Sequence, residues 1–202
     1  LSNLILASGS PRRREFLKIL GIPFTVAVSG CDETLDPGLP PSEAARLVAE
    51  RKAREVAGRS GSDACVLAAD TVVVLGDEVL GKPADREDAA RMLRKLSGRA
   101  HTVVTGVALC RGGICRSLAV ETEVVFRPLT EEQISWYASG DEPLDKAGAY
   151  AVQGAAAVFI EAVRGSWTNV VGLPLAETMD LLAEEGFAPW SVGTGGEARR
   201  AV

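Results

Sequence analysis

Aromatic residues are scarce in this chain, 5% of 202 positions. No stripe of interleaved basic and aromatic side chains is present on which the bases of a single strand could stack. Positive charge is not in excess either. The 22 Lys and Arg face 27 Asp and Glu, for a formal net charge of -5. Nucleic-acid binders are more often basic, so no nucleic-acid partner is expected. An anionic ligand would have to be held locally, by a few placed cations or by a metal between acidic groups. His101 is the single histidine, which excludes a multi-histidine metal site; a lone histidine at a strand start reads as structural. No run approaches the roughly 18 unbroken apolar residues of a membrane span. The N-terminus shows no basic region followed by an apolar one, so no secretory signal is expected. Cysteines number four. Cys31 lies in a loop and Cys65 in an apolar run, where it reads as a buried thiol. Cys110 and Cys115 flank "RGGI", a hairpin turn that could bring them face to face, but C-x4-C alone is weak evidence for zinc or a bridge. A cytoplasmic protein with reduced thiols is the expectation.

What is present is a globular composition, 47% hydrophobic and 24% charged. The chain reads as one domain over 1–187, followed by a loose Gly-rich tail over 188–202. Strands and helices alternate, which predicts an α/β fold with a mixed sheet. Leu4 to Ala7 reads as a strand, and Ser10-Pro11 as the cap and first position of a helix that Gly21 ends. "FTVAVSG" reads as a second strand. Ser42 is expected to cap a long helix to about Ala57, with Ala45, Val48, Ala49, Lys52, Ala53 and Val56 on its buried stripe. Residues 64–75 form a nearly continuous apolar run, the pattern of a strand buried on both faces. "GD" at 76–77 signals a hairpin. Asp85 caps a helix that buries Ala89, Met92, Leu93 and Leu96. A long hairpin follows about Gly112-Gly113, and "TEEQ" at 130–133 matches a capping box. Strands are expected near 149–152 and 156–163, and a last helix after Gly172-Leu173-Pro174.

Several residues resist a purely structural reading. Asp70 interrupts the most apolar run in the chain. A carboxylate there needs a cation, a metal or several hydrogen bonds; otherwise it is a strand-end residue capping a turn. Lys52 breaks the buried stripe of its helix and reads either as a site cation or as a side chain snorkelling from the rim. Lys82, in "LGKP", either reaches a phosphate as a point charge or is simply solvated. Glu33 sits in an acidic loop with Asp32. Lys146 and Gln153 are polar among small apolar neighbours. The segment "ASGSPRRR" puts Arg12, Arg13 and Arg14 in the first turn of a helix, where they oppose the macrodipole. Small residues, free N–H groups at a helix start and guanidinium donors together suit an anion. Consecutive helical residues differ by about 100°, so not all three arginines can face one ligand.

The motifs "LASGSPRR", "DET" at 32–34, "KA" at 52–53, "AADTVV", "LGKP", "LSGRAHTVVTGVAL", "PLDKAGAYAVQG" and "NVVGLPL", in this order, resemble the Maf family of nucleoside triphosphate pyrophosphatases. The resemblance runs from residue 4 to about 186. It implies a Maf/ITPase-like, two-lobed α/β fold, a mixed sheet flanked by helices with a central substrate cleft. It also implies a divalent metal cation, Mg²⁺ or Mn²⁺, and hydrolysis of a nucleoside triphosphate to monophosphate and pyrophosphate. By matching motif, Asp70 would be the proton acceptor, and Arg12, Thr71 and Gln153 would set substrate choice. Ser8, Arg13, Lys52 and Lys82 would bind phosphate, and Glu33 with Asp70 would hold the metal. "DT" and "YAVQG" resemble the branch acting on dTTP and UTP rather than that acting on 7-methyl-GTP. The resemblance extends to modified pyrimidine nucleotides, to a house-cleaning role, to arrest of cell division and to a homodimer. A non-catalytic, nucleotide-sensing inhibitor of septum formation is the alternative. One departure is the alanine-rich run after Gln153, which bears on packing near the cleft.

Overall fold

The period of the apolar residues separates strands from helices along most of the chain. A computed structural model describes residues 3–190. Leu4–Leu6 (β1), buried throughout, leads into Pro11–Ile19 (α1), which turns Phe16 and Leu17 inward. The expected second strand shrinks to Thr25–Val26 (β2), with both side chains exposed. Pro41–Gly58 (α2) buries the predicted stripe, Lys52 included. Its start differs from expectation: Pro40 occupies the cap position and no side chain caps the helix. Pro41 at the first position lacks an N–H that would otherwise need a partner, so Ser42 is not required as a cap.

Cys65–Leu75 (β3) turns through Gly76, at φ +61°, into Glu78–Leu80 (β4). Arg86–Leu96 (α3) is capped by Asp85, whose carboxylate accepts from Asp88 N at 2.8 Å. Ala100–Arg111 (β5) and Ile114–Phe126 (β6) form the long hairpin over Gly112-Gly113. Glu131–Ala138 (α4) starts with the expected capping box of Thr130 and Gln133. The strand expected near 149–152 is absent. Gly148 and Ala149 have φ of 68° and 59°, a left-handed pair that breaks any ladder. The segment runs instead through short 3₁₀ turns at Glu142–Asp145, Ala147–Ala149 and Ala155–Phe159. The alanine-rich stretch has little strand preference, and only Ile160–Arg164 (β7) joins the sheet. Trp167–Val171 (α5), not foreseen from the sequence, precedes Leu175–Glu184 (α6). Ala188 is still buried; the tail expected from 188 lies, beyond Trp190, outside the described residues.

The strands make one mixed sheet in the order β2-β1-β3-β5-β6-β7, with β4 also on β3. β1 runs parallel to β2 and β3, and the other pairs are antiparallel. One edge of β3 is shared by two short strands. β1 covers Cys65 to Leu67, and β4 covers Val73 to Leu75. Among the described residues, no strand pairs with 68–72 on that side. Asp70 and Thr71 lie in this gap.

Strand alternation divides β3 between two layers. Leu67, Ala69 and Val73 join the larger core with Leu17, Leu93 and Leu182. Val66 and Ala68 pack with Ala49 and Ala53 of α2, and Val72 with Ala45. Asp70 falls on the face that α2 covers, and Thr71 on the other. α2 comes unusually close because Gly106, opposite Asp70 in β5, carries no side chain: a Cβ there would overlap the Ala45 carbonyl. At the far end of the hairpin, Cys110 and Cys115 are opposed in register and joined as a disulfide, where reduced thiols were expected. Cys65 is a buried free thiol, as expected, and burial pushes its pKa up to about 11.

Candidate functional site

The gap in the β3 edge leaves backbone groups that need partners, because a buried carbonyl without a donor is costly. Arg13 supplies one. Its Nη1 donates to the Ala69 carbonyl at 2.8 Å and to Ser8 Oγ at 3.1 Å. Its Nε donates to the Gly172 carbonyl at 2.7 Å, and Nη2 to Thr71 Oγ1 at 3.0 Å. One planar fork thus ties α1, β3 and the turn after α5 together. Enclosure lowers the Arg13 pKa to about 10, against the pull of Asp70, so the group stays charged at neutral pH. The sequence reading gave Arg13 to phosphate. In the structure most of its donors are engaged by the protein itself.

Thr71 is engaged in the same way. Its hydroxyl accepts from Arg13 and pairs with Thr105 Oγ1 at 2.9 Å, which donates onward to the Asn169 carbonyl at 3.1 Å. The Thr71 proton therefore goes to Thr105 rather than to a ligand. Ser8 is the converse case. Its oxygen accepts from Ser10 N at 3.2 Å and from Arg13, which leaves its own proton to donate. The α1 start beside it carries no side-chain cap bond and no acidic residue in its first turn. Its first N–H groups are open to an anion.

On the opposite face of β3, Lys52 joins the two acidic candidates. Its Nζ lies 2.7 Å from Asp70 Oδ1 and 2.9 Å from Glu33 Oε2. Lys52 and Asp70 are nearly enclosed, with side chains 8% and 13% exposed, while Glu33 is 57% exposed. A buried carboxylate and a buried ammonium satisfy each other here, which answers why each interrupts an apolar pattern. Among the described residues, Asp70 Oδ2 has no hydrogen-bond partner. The point on which the two carboxylates converge is the Lys52 ammonium itself. No group of three His, Cys, Asp or Glu gathers around a common point among the described residues. A hard divalent ion that keeps waters and takes phosphate oxygens needs only one or two carboxylates. Asp70 Oδ2 and the exposed Glu33 carboxylate offer oxygens of that kind beside the Lys52 ammonium.

These groups line a cleft of about 580 Å³. Ser8, Arg12, Arg13, Glu33, Lys52, Asp70, Thr71, Lys82 and Gln153 all border it, so the nine residues to which the resemblance gave a role are brought to one place. Arg14 does not border it and leans back to the Gly9 carbonyl at 3.3 Å. Lys82 and Gln153 are exposed at the rim. Burial lowers the pKa of Arg12, against the attraction of Asp145 and Glu142. His101 lies in the core, with Nε2 2.8 Å from the Tyr150 hydroxyl and its ring edge-on to Phe126. Burial pushes its pKa down to about 4, the structural role expected of it.

Residues 3–185 match the family model described as "Maf-like protein". The chain belongs to the Maf family. Its Maf relatives include a "dTTP/UTP pyrophosphatase" of Anaeromyxobacter dehalogenans, 54% identical over 93% of this chain and 96% of that protein. Another so named, from Symbiobacterium thermophilum, is 51% identical over 96% of this chain and 100% of its own length. A third, from Escherichia coli, is 48% identical over 91% and 93%.

Some parts of this Maf site were not read from the sequence. Thr105 and the Gly172 carbonyl partner Thr71 and Arg13 from 34 and 159 positions away, a distance no local pattern reports. Asp145 and Lys146 pair with each other on the cleft wall. Lys146 had stood out as a polar residue among small ones, which was its signal; Asp145 had none.

Proposed function

We propose that this Maf-family chain hydrolyses dTTP and UTP to the monophosphate and pyrophosphate, keeping unwanted nucleotides out of nucleic acids. The observation that carries the reading is Asp70, held through Oδ1 by Lys52 with Oδ2 unpartnered, at the base of a cleft lined by cations. The names of relatives about half identical over nearly their whole length supply the substrate class.

In this reading the triphosphate lies against the α1 start, with Ser8 donating its free proton and Arg12, Lys52 and Lys82 offsetting phosphate charge. Asp70 Oδ2 accepts a proton from water as the water oxygen bonds to the α-phosphorus. The bond from that phosphorus to the bridging oxygen breaks, and pyrophosphate leaves with the electron pair. Arg13 holds Ser8 and the Asp70 strand segment in place. Gln153 faces the nucleobase from the rim. Mg²⁺ or Mn²⁺, when held by Asp70 and Glu33, would supply further charge neutralisation. We also place the protein in the cytoplasm, where free nucleotides are made and where the Cys110–Cys115 pair would be held reduced. No helix among the described residues is long and apolar enough to cross a membrane.

The test is pyrophosphate release across the common triphosphates, with Mg²⁺, with Mn²⁺ and with a chelator. The expected result is fastest release from dTTP and UTP, and none in chelator. No release from any triphosphate, or a preference for purines, would overturn the reading.

A further inference from the structure

Gln153 is exposed at the rim of the cleft, on a turn closed by Gly154 N donating to the Ala151 carbonyl at 3.0 Å. Nothing in the turn itself fixes where the amide points. What fixes the turn lies behind it, in two side chains that do not border the cleft. Tyr137, buried on α4, accepts from Ala151 N at 3.2 Å, on one flank of Gln153. The Tyr137 hydroxyl then donates to Glu142 Oε1 at 2.7 Å. Glu142 Oε2 accepts from Ala155 N at 3.4 Å, on the other flank. A Cβ on Gly154 would collide with the same carboxylate, so the loop is wrapped directly over it. Burial and the Glu142 bond both raise the Tyr137 pKa, which keeps its proton available to donate. Both flanks of a three-residue span thus hang on one hydrogen-bonded pair.

We propose that Tyr137 and Glu142 are positioning residues that set where Gln153 meets the nucleobase, and so govern the choice between pyrimidine and purine rather than the phosphate chemistry. The inference rests on the reading of Gln153 as the base contact. Three features separate it from a purely structural role. The pair holds both flanks of Gln153. It contacts none of Ser8, Lys52, Asp70 or Glu33. The Glu142 charge also attracts Arg12, the other candidate for substrate choice.

The test measures kcat and KM for dTTP, UTP, dATP and dGTP in Glu142→Ala, Glu142→Gln, Tyr137→Phe, Gln153→Ala and the Glu142→Ala/Gln153→Ala double variant. In Glu142→Ala, KM for dTTP and UTP should rise about tenfold, the loss of one well-placed hydrogen bond, with kcat little changed. The pyrimidine-over-purine ratio of kcat/KM should fall with it. Glu142→Gln keeps an acceptor for Ala155 N and should recover most of the ratio. Tyr137→Phe should resemble Glu142→Ala. In the double variant the second substitution should add nothing to the first.

A parallel fall in kcat for all four nucleotides, or additive effects in the double variant, would overturn the positioning role. If Glu142→Ala does not fold, Glu142→Gln and Tyr137→Phe decide: a wild-type base ratio in Tyr137→Phe would overturn it. The parent reading fails separately. An unchanged ratio in Gln153→Ala means that Gln153 is not the base contact, whatever Glu142 does.

Discussion

Removing the Arg13 guanidinium would leave the Ala69 and Gly172 carbonyls and the Ser8 and Thr71 oxygens without the donor that joins them. Buried acceptors stripped of a charged donor are expensive, on the order of 2–4 kcal/mol in sum for a fork of this kind. Arg13→Met should therefore lower the urea midpoint and also slow turnover of dTTP by about a hundredfold. Arg13→Lys should recover little, since one ammonium cannot reproduce a planar fork. Arg14→Ala should match wild type in both measurements. Equal effects at the two positions would contradict the assignment. The sequence marked Arg13 as a cation facing a cleft, and it does border one. It could not show that the fork fills a break in a strand edge, because Ala69 and Gly172 are remote in the chain. The same limit hid the partner of Thr71. Lys52 and Asp70 were more legible: each broke an apolar pattern, and two such breaks of opposite charge answer each other.

Among the elements, α2 and β5 decide whether Lys52 can reach Asp70. The helix backbone at Ala45 rests directly on Gly106, which faces Asp70 across the β3–β5 ladder. Gly106→Ala must push the helix away from the sheet or strain it, at a cost of roughly 1–3 kcal/mol. The displacement should weaken the Lys52 to Asp70 contact, so turnover should fall by more than tenfold in protein that still folds. Gly58→Ala, at the end of the same helix with open space around it, serves as the control and should keep wild-type activity. Thermal melts and dTTP turnover on both variants check this; wild-type turnover in Gly106→Ala would show that the close approach does not serve the site. Most helices and the long hairpin were readable because period, caps and turn glycines agreed. The segment 149–159 was not, since alternating small residues imitate a strand while two left-handed residues forbid one. β2 was overread because its run is apolar although Val26 and Val28 face solvent at the sheet edge and only Thr25 and Val26 pair with β1.

At the scale of the molecule, the site exists because two short strands share one edge of β3 and stop short of each other. That topology depends on register between segments far apart in sequence, and no local pattern reports it. The α/β class and the gathering of the motifs were legible; the gap that gives them a common place was not. It also explains how an acidic protein can host an anionic ligand. The cations are few, and the fold collects Arg12, Lys52, Lys82 and Lys146 around one opening while the surplus carboxylates lie elsewhere. The central claim is that Asp70 is the proton acceptor at the base of that opening. Its most direct test is pyrophosphate release from dTTP by Asp70→Asn, a change that keeps size and removes basicity, with a thermal melt in parallel. The account predicts a folded protein whose kcat falls by a factor on the order of 10²–10⁴. A folded Asp70→Asn variant that turns over dTTP within tenfold of wild type would contradict it.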